Sequence, residues 1–203
     1  MNKKLLLGAC VLAALAGGMV LSNSGRWRSG AAQEALLGRF AVGALNRSIP
    51  GHYKDLADAL ERGEPVPANY ETYYRIAVKF MPNDSAGHYL LAFCLQSRGE
   101  FEEAALSYKE SIRLDPAFFW AYYNLGLMYR QRGISEAAGK IWSAAAGLPP
   151  ALTLESIASS KLLSDCAGDL DPDVQASLTR GHKNVTEQLA GKPPVQDDHP
   201  VLF

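Results

Sequence analysis

An all-α fold, an antiparallel solenoid of helix hairpins, is what the sequence predicts, and three observations carry that prediction. First, Ser85–Phe118 lies over Phe119–Leu152 without a gap. Leu91 meets Leu125, Gly99 meets Gly133, Ala104 meets Ala138, Tyr108 meets Trp142 and Pro116 meets Pro150, each pair 34 residues apart. Second, the packing residues of each copy recur at helical spacing: His88, Leu91, Ala92 and Leu95 in one segment, Ala104, Ala105, Tyr108 and Ile112 in the next. Third, Gly99 and Asp115-Pro116 punctuate those segments. Glycine accepts the left-handed backbone of a helix exit, while proline lacks an amide donor and pushes its predecessor out of helical geometry.

Residue type agrees with spacing. The Leu125-Gly126 pair, Tyr129 behind it, the turn residue Gly133, then Ala138 and Pro150 resemble the tetratricopeptide repeat, whose period is about 34 residues. The small residues Ala92, Ala104, Gly126 and Ala138 sit where two helices approach closely. Gly51–Asn83 reads as a third, divergent repeat: Tyr74, Ala77 and Pro82 lie one interval before Tyr108, Ser111 and Pro116. Its first helix, with Tyr53, Leu56, Ala57 and Leu60, fits once one residue is inserted in the turn that holds Pro65 and Pro67. Tyr70 stands where the small Ala104 belongs, which predicts a looser helix contact. The repeat domain spans 51–152.

Ahead of it, Met1–Leu21 places Lys3 and Lys4 before seventeen uncharged residues, Leu5–Leu21. That is the lower edge of a membrane-spanning helix, roughly 17–25 residues, and just beyond a signal-peptide core of roughly 7–15. A transmembrane signal anchor and a cleaved signal peptide both fit, the second through Ala14-Leu15-Ala16. Leu7-Gly8-Ala9-Cys10 resembles a bacterial lipoprotein signal, with a short apolar run in front. The expectation is a chain that is membrane-anchored or secreted, its repeats outside the cytoplasm in a periplasmic setting. Residues 22–50 hold a polar linker, Ser22–Ser29, and a helix, Ala31–Leu45, broken by Ile49-Pro50-Gly51.

Beyond residue 152, capping helices are expected over 153–190. One is Thr153–Ser164, N-capped by Thr153, with Leu154, Ile157, Ala158 and Leu162 inward. After a loop at Asp165–Asp171, Pro172 opens a last helix with Val174, Leu178, Val185 and Leu189 on one stripe and Gly181 weakening its middle. A solenoid needs such elements where it meets solvent. Residues 191–203, with three prolines and Asp197-Asp198, read as a disordered tail.

Composition narrows the function. Twenty basic and 21 acidic residues among 203, with a pI near 6.4, leave no concentrated basic face for a nucleic-acid partner. The four histidines, His52, His88, His182 and His199, are scattered, with no second ligand at metal spacing. His88 falls on the packing stripe and reads as a core residue. There is no glycine-rich phosphate loop, serine elbow or Cys-x-x-Cys. The sequence therefore predicts no catalytic residue, no metal and no cofactor. Cys10, Cys94 and Cys166 give no disulfide framework. A Cys94–Cys166 bridge is open to the chain, and two free thiols are the favoured reading, with Cys94 as a soft core side chain.

What remains is a second apolar stripe on the first helix of each repeat: Tyr89, Phe93 and Gln96, then Trp120, Tyr123, Leu127 and Arg130. The family resemblance implies that these positions line a concave groove holding a peptide or a partner's helix. Rigid aromatic side chains offer large apolar area at little entropic cost, and Arg130 would orient a polar or acidic group. The competing reading has the N-terminal helix or the proline-rich tail of the same chain filling that surface. Some family members grip a carboxylate with Lys and Asn; here Tyr89 and Phe93 take the first two places while Asn124 remains, which favours an apolar or aromatic-rich ligand. The function expected is a non-enzymatic scaffold or adaptor at the cell envelope that binds a protein or peptide partner. The alternative is a self-assembly module whose repeats stack on other copies. If the stripe is a groove, truncating Phe93 or Tyr123 leaves the fold intact.

Overall fold

Two helix hairpins of matching build form the centre of the chain. The computed structural model describes residues 62, 64, 66, 68–160, 162 and 167–192, all within one unit, Ile49–Phe203. Among the described residues there are seven helices and no strand: α1 (Ala68–Phe80), α2 (Ser85–Ser97), α3 (Phe101–Leu114), α4 (Phe119–Gln131), α5 (Ser135–Ala146), α6 (Pro150–Ser159) and α7 (Ala167–Leu189). The targeting segment, the Ala31–Leu45 helix, the first helix of the divergent repeat with its contact to Tyr70, Cys10, Cys166 and residues 193–203 lie outside the described residues. Among the described ones, no helix is long and apolar enough to cross a membrane.

The 34-residue period is written in the backbone. The α2–α3 and α4–α5 turns hinge on Gly99 and Gly133, at φ of 81° and 76°, a conformation that a Cβ opposes. The same two bonds close each turn. Glu100 N donates to the Leu95 carbonyl (2.9 Å) and Gly99 N to that of Gln96 (3.0 Å); Ile134 N donates to Tyr129 (2.8 Å) and Gly133 N to Arg130 (2.9 Å). Between hairpins, Asp84 N donates to the Met81 carbonyl (3.1 Å), and one interval later Phe118 N donates to Asp115 (3.2 Å). The Asp84 carboxylate caps α2 by accepting from Ala86 N at 3.1 Å.

Side chains close each hairpin. Trp142 lies over Gly126 so tightly that a Cβ there would stand 2.2 Å from its Nε1, which donates to the Tyr123 carbonyl at 3.1 Å. One interval earlier the same positions hold Ala92 and Tyr108, both fully buried. The larger ring is matched by the smaller partner. Cys94 is a buried, free thiol, and burial pushes its pKa up to about 12. His88 is only half-buried rather than core; its Nε2–H donates to the Pro82 carbonyl at 3.0 Å.

The C-terminal elements depart from expectation in instructive ways. Helix α6 starts at Pro150, because Pro149 is extended (ψ 132°) and Pro150 is preset for a first helical turn. Thr153 is therefore not a cap. Fully buried, its hydroxyl donates to the Ala117 carbonyl (3.0 Å) and accepts from Phe119 N (3.3 Å). The helix ends at Ser159, and Ser160 Oγ donates to the Asp84 carboxylate at 2.9 Å, whose other oxygen accepts from Leu162 N at 3.3 Å. Helix α6 is a strap across the starts of α4 and α2. Helix α7 begins at Ala167, ahead of Pro172, and packs on α5 and α6. Leu178 and Val185 are buried, but Leu189 is 42% exposed. Gly181 is a contact point rather than a weakness: a Cβ there would come 2.8 Å from the Phe119 ring and 3.2 Å from Trp120.

Candidate functional site

The seven side chains expected to line an open groove are covered. Tyr89, Phe93 and Trp120 are 0% exposed, Leu127 2%, Gln96 5% and Tyr123 6%; Arg130 is half-buried. Tyr89 points into the seam between hairpins, edge-on to Phe118 at 5.0 Å, and its hydroxyl accepts from Asn124 Nδ2 at 3.1 Å. That bond also takes Asn124 out of the carboxylate-gripping role. The Gln96 Oε1 accepts from the Tyr108 hydroxyl at 2.8 Å.

The other four residues meet α7. Phe119, Trp120 and Tyr123 form an aromatic cluster with ring centroids 5.1 to 5.9 Å apart. The His182 imidazole stacks on Phe119 at 4.1 Å and 21°. Asn184 Nδ2 donates to the Tyr123 hydroxyl at 3.3 Å, and Arg130 donates to Gln188 while its guanidinium lies 5.4 Å over Trp142. These contacts climb α4 and α7 together, so the two helices run parallel.

The register is that of the repeats themselves. Asn184 meets Tyr123 as Asn124 meets Tyr89, although Tyr123 follows Tyr89 by 34 residues and Asn184 follows Asn124 by 60. Helix α7 takes the station on α4 that α4 takes on α2. Phe119, His182, Asn184 and Gln188 were not visible as site residues because the strap interrupts the period. The one signal available was the Tyr-to-Asn pairing, and it needs the structure to be noticed.

A second concavity, a cleft of about 830 Å³, lies under α6 between the two inter-hairpin turns; Met81, Asp84, Asp115, Leu152 and Glu155 line it. Its buried acid is already committed: Asp84 holds Ala86, Ser160 and Leu162.

The family model described as TPR repeat matches residues 95–133, from the last turn of α2 through α4 to Gly133. The chain carries tetratricopeptide repeats. Such tetratricopeptide repeats are typically non-catalytic modules through which proteins contact one another, and the match covers both glycine turns and the helices between them. A search of curated proteins returned no match.

Proposed function

We propose that this chain is a non-enzymatic scaffold that holds a helical segment of a partner protein on the aromatic face of α4 and α5. One observation carries the reading: that face receives a helix in the same register and with the same Asn-to-Tyr bond as the repeats use between themselves. A surface of Trp120, Tyr123 and Leu127 with Arg130 at its edge suits an amphipathic helix with a polar residue near its C-terminal end. The envelope location rests on Lys3-Lys4 ahead of Leu5–Leu21; a reporter fused after Phe203 and active only outside the cytoplasm tests it.

Binding is tested in cells by a photo-crosslinking residue placed at Arg130, at the edge of the face, and at Leu106, exposed on α3. Adducts with another protein from position 130 alone support the reading, and an adduct of twice the chain mass makes the partner a second copy. Adducts from position 106 alone sink it.

A further inference from the structure

We propose that α7 is a displaceable occupant of the partner-receiving face, released when His182 takes up a proton. This rests on the function proposed above and adds its regulation. The seam between α4 and α7 is well packed but incompletely satisfied. Trp120 Nε1 and His182 Nε2 are buried there, and neither makes a hydrogen bond among the described residues. In water both would have partners, so each favours an opened seam. The close approach at Gly181 presses His182 flat against Phe119, where it is held without an acceptor.

Burial lowers the His182 pKa, and no described carboxylate offsets it. On α4 the groups facing α7 are Arg130, itself cationic, and the Tyr123 hydroxyl, which is bonded to Asn184. On α5, Glu136 and Lys140 pair with each other. On α6 the single charge, Glu155, lines the cleft. On α7, Arg180 and Lys183 add positive charge, and Glu187 is paired with Lys192. The sign follows. Burial disfavours the charged form of a docked His182, while a released one titrates at its ordinary value of about 6.5. Docking is at full strength above that value and weakens as pH falls through it.

The test uses the full chain and a fluorescently labelled peptide of residues 175–192 carrying His182→Phe, so that the probe does not itself titrate at that position; it binds the face only after α7 has left it. Capture should rise several-fold from about pH 8 to about pH 5. His182→Phe, which keeps the stack without a titratable group, and His182→Gln should both flatten the response. The ring resonances of His182, followed by NMR in the natural chain, should titrate with the same midpoint as capture. Flat capture in the natural chain, an equal rise in both variants, or mismatched midpoints would overturn the proposal. No partner protein enters this assay, so its outcome stands apart from that of the crosslinking experiment.

Discussion

At the closest approach of α4 and α5, the Trp142 indole occupies the space that a Cβ on residue 126 would need. Gly126→Ala should therefore cost about 1–3 kcal/mol in overpacking. Trp142→Tyr on the same background should recover most of the loss, since the double variant restores the Ala92–Tyr108 pairing of the preceding hairpin. Denaturant melts of the four chains give the coupling directly. Phe93 makes the opposite point. It was expected to tolerate truncation, but with no exposed surface Phe93→Ala should destabilise by about 3–5 kcal/mol, read in the same melts beside Leu125→Ala. The sequence shows that Phe93 and Leu125 lie on different stripes of their helices; it does not show what covers each stripe. Cys94 carries a third expectation. With its thiol pushed up to about 12 by burial, the thiolate is scarce near neutral pH and a maleimide should label this residue only on unfolding.

Among the elements, the strap α6 joins positions far apart in the chain through a handful of polar contacts. Thr153→Val keeps the shape and removes the hydroxyl from between Ala117 and Phe119. It leaves a buried amide and a half-buried carbonyl short of a partner, at a cost of about 1–3 kcal/mol, measurable as a lowered denaturant midpoint with an unchanged slope. This element was misread from sequence for a definite reason. Pro150 aligns with Pro116, which terminates a repeat, but a proline behind another extended proline also starts a helix well. The hairpins α2–α3 and α4–α5 were legible because glycine turns and helical periodicity act locally. The docking of α7 was not, because it depends on a register reset by an insertion.

For the whole molecule, α7 closes the array by supplying a further first helix. A chain ending before Ala167 should keep the helical signal of α1 to α5 but expose the face of Phe119, Trp120 and Tyr123. Size-exclusion with light scattering should then show concentration-dependent association that the full chain lacks, as large exposed apolar patches promote. A truncated chain that stays monomeric at every concentration would show that the face needs no cover.

The strap has a further consequence, in competition rather than in stability. Ser160 and Leu162 are both pinned to Asp84 and α7 starts at Ala167, so residues 163–166 alone link the terminal helix to a fixed point. A tether that short presents its ligand at an effective concentration in the millimolar range, to order of magnitude. Any free helix that seeks the same face competes with a rival that never diffuses away. Cleaving the chain within 163–166 would leave the contacts of α7 with α4 in place but turn that rival into a dilute solute, and the face would pass to whichever helix binds it best.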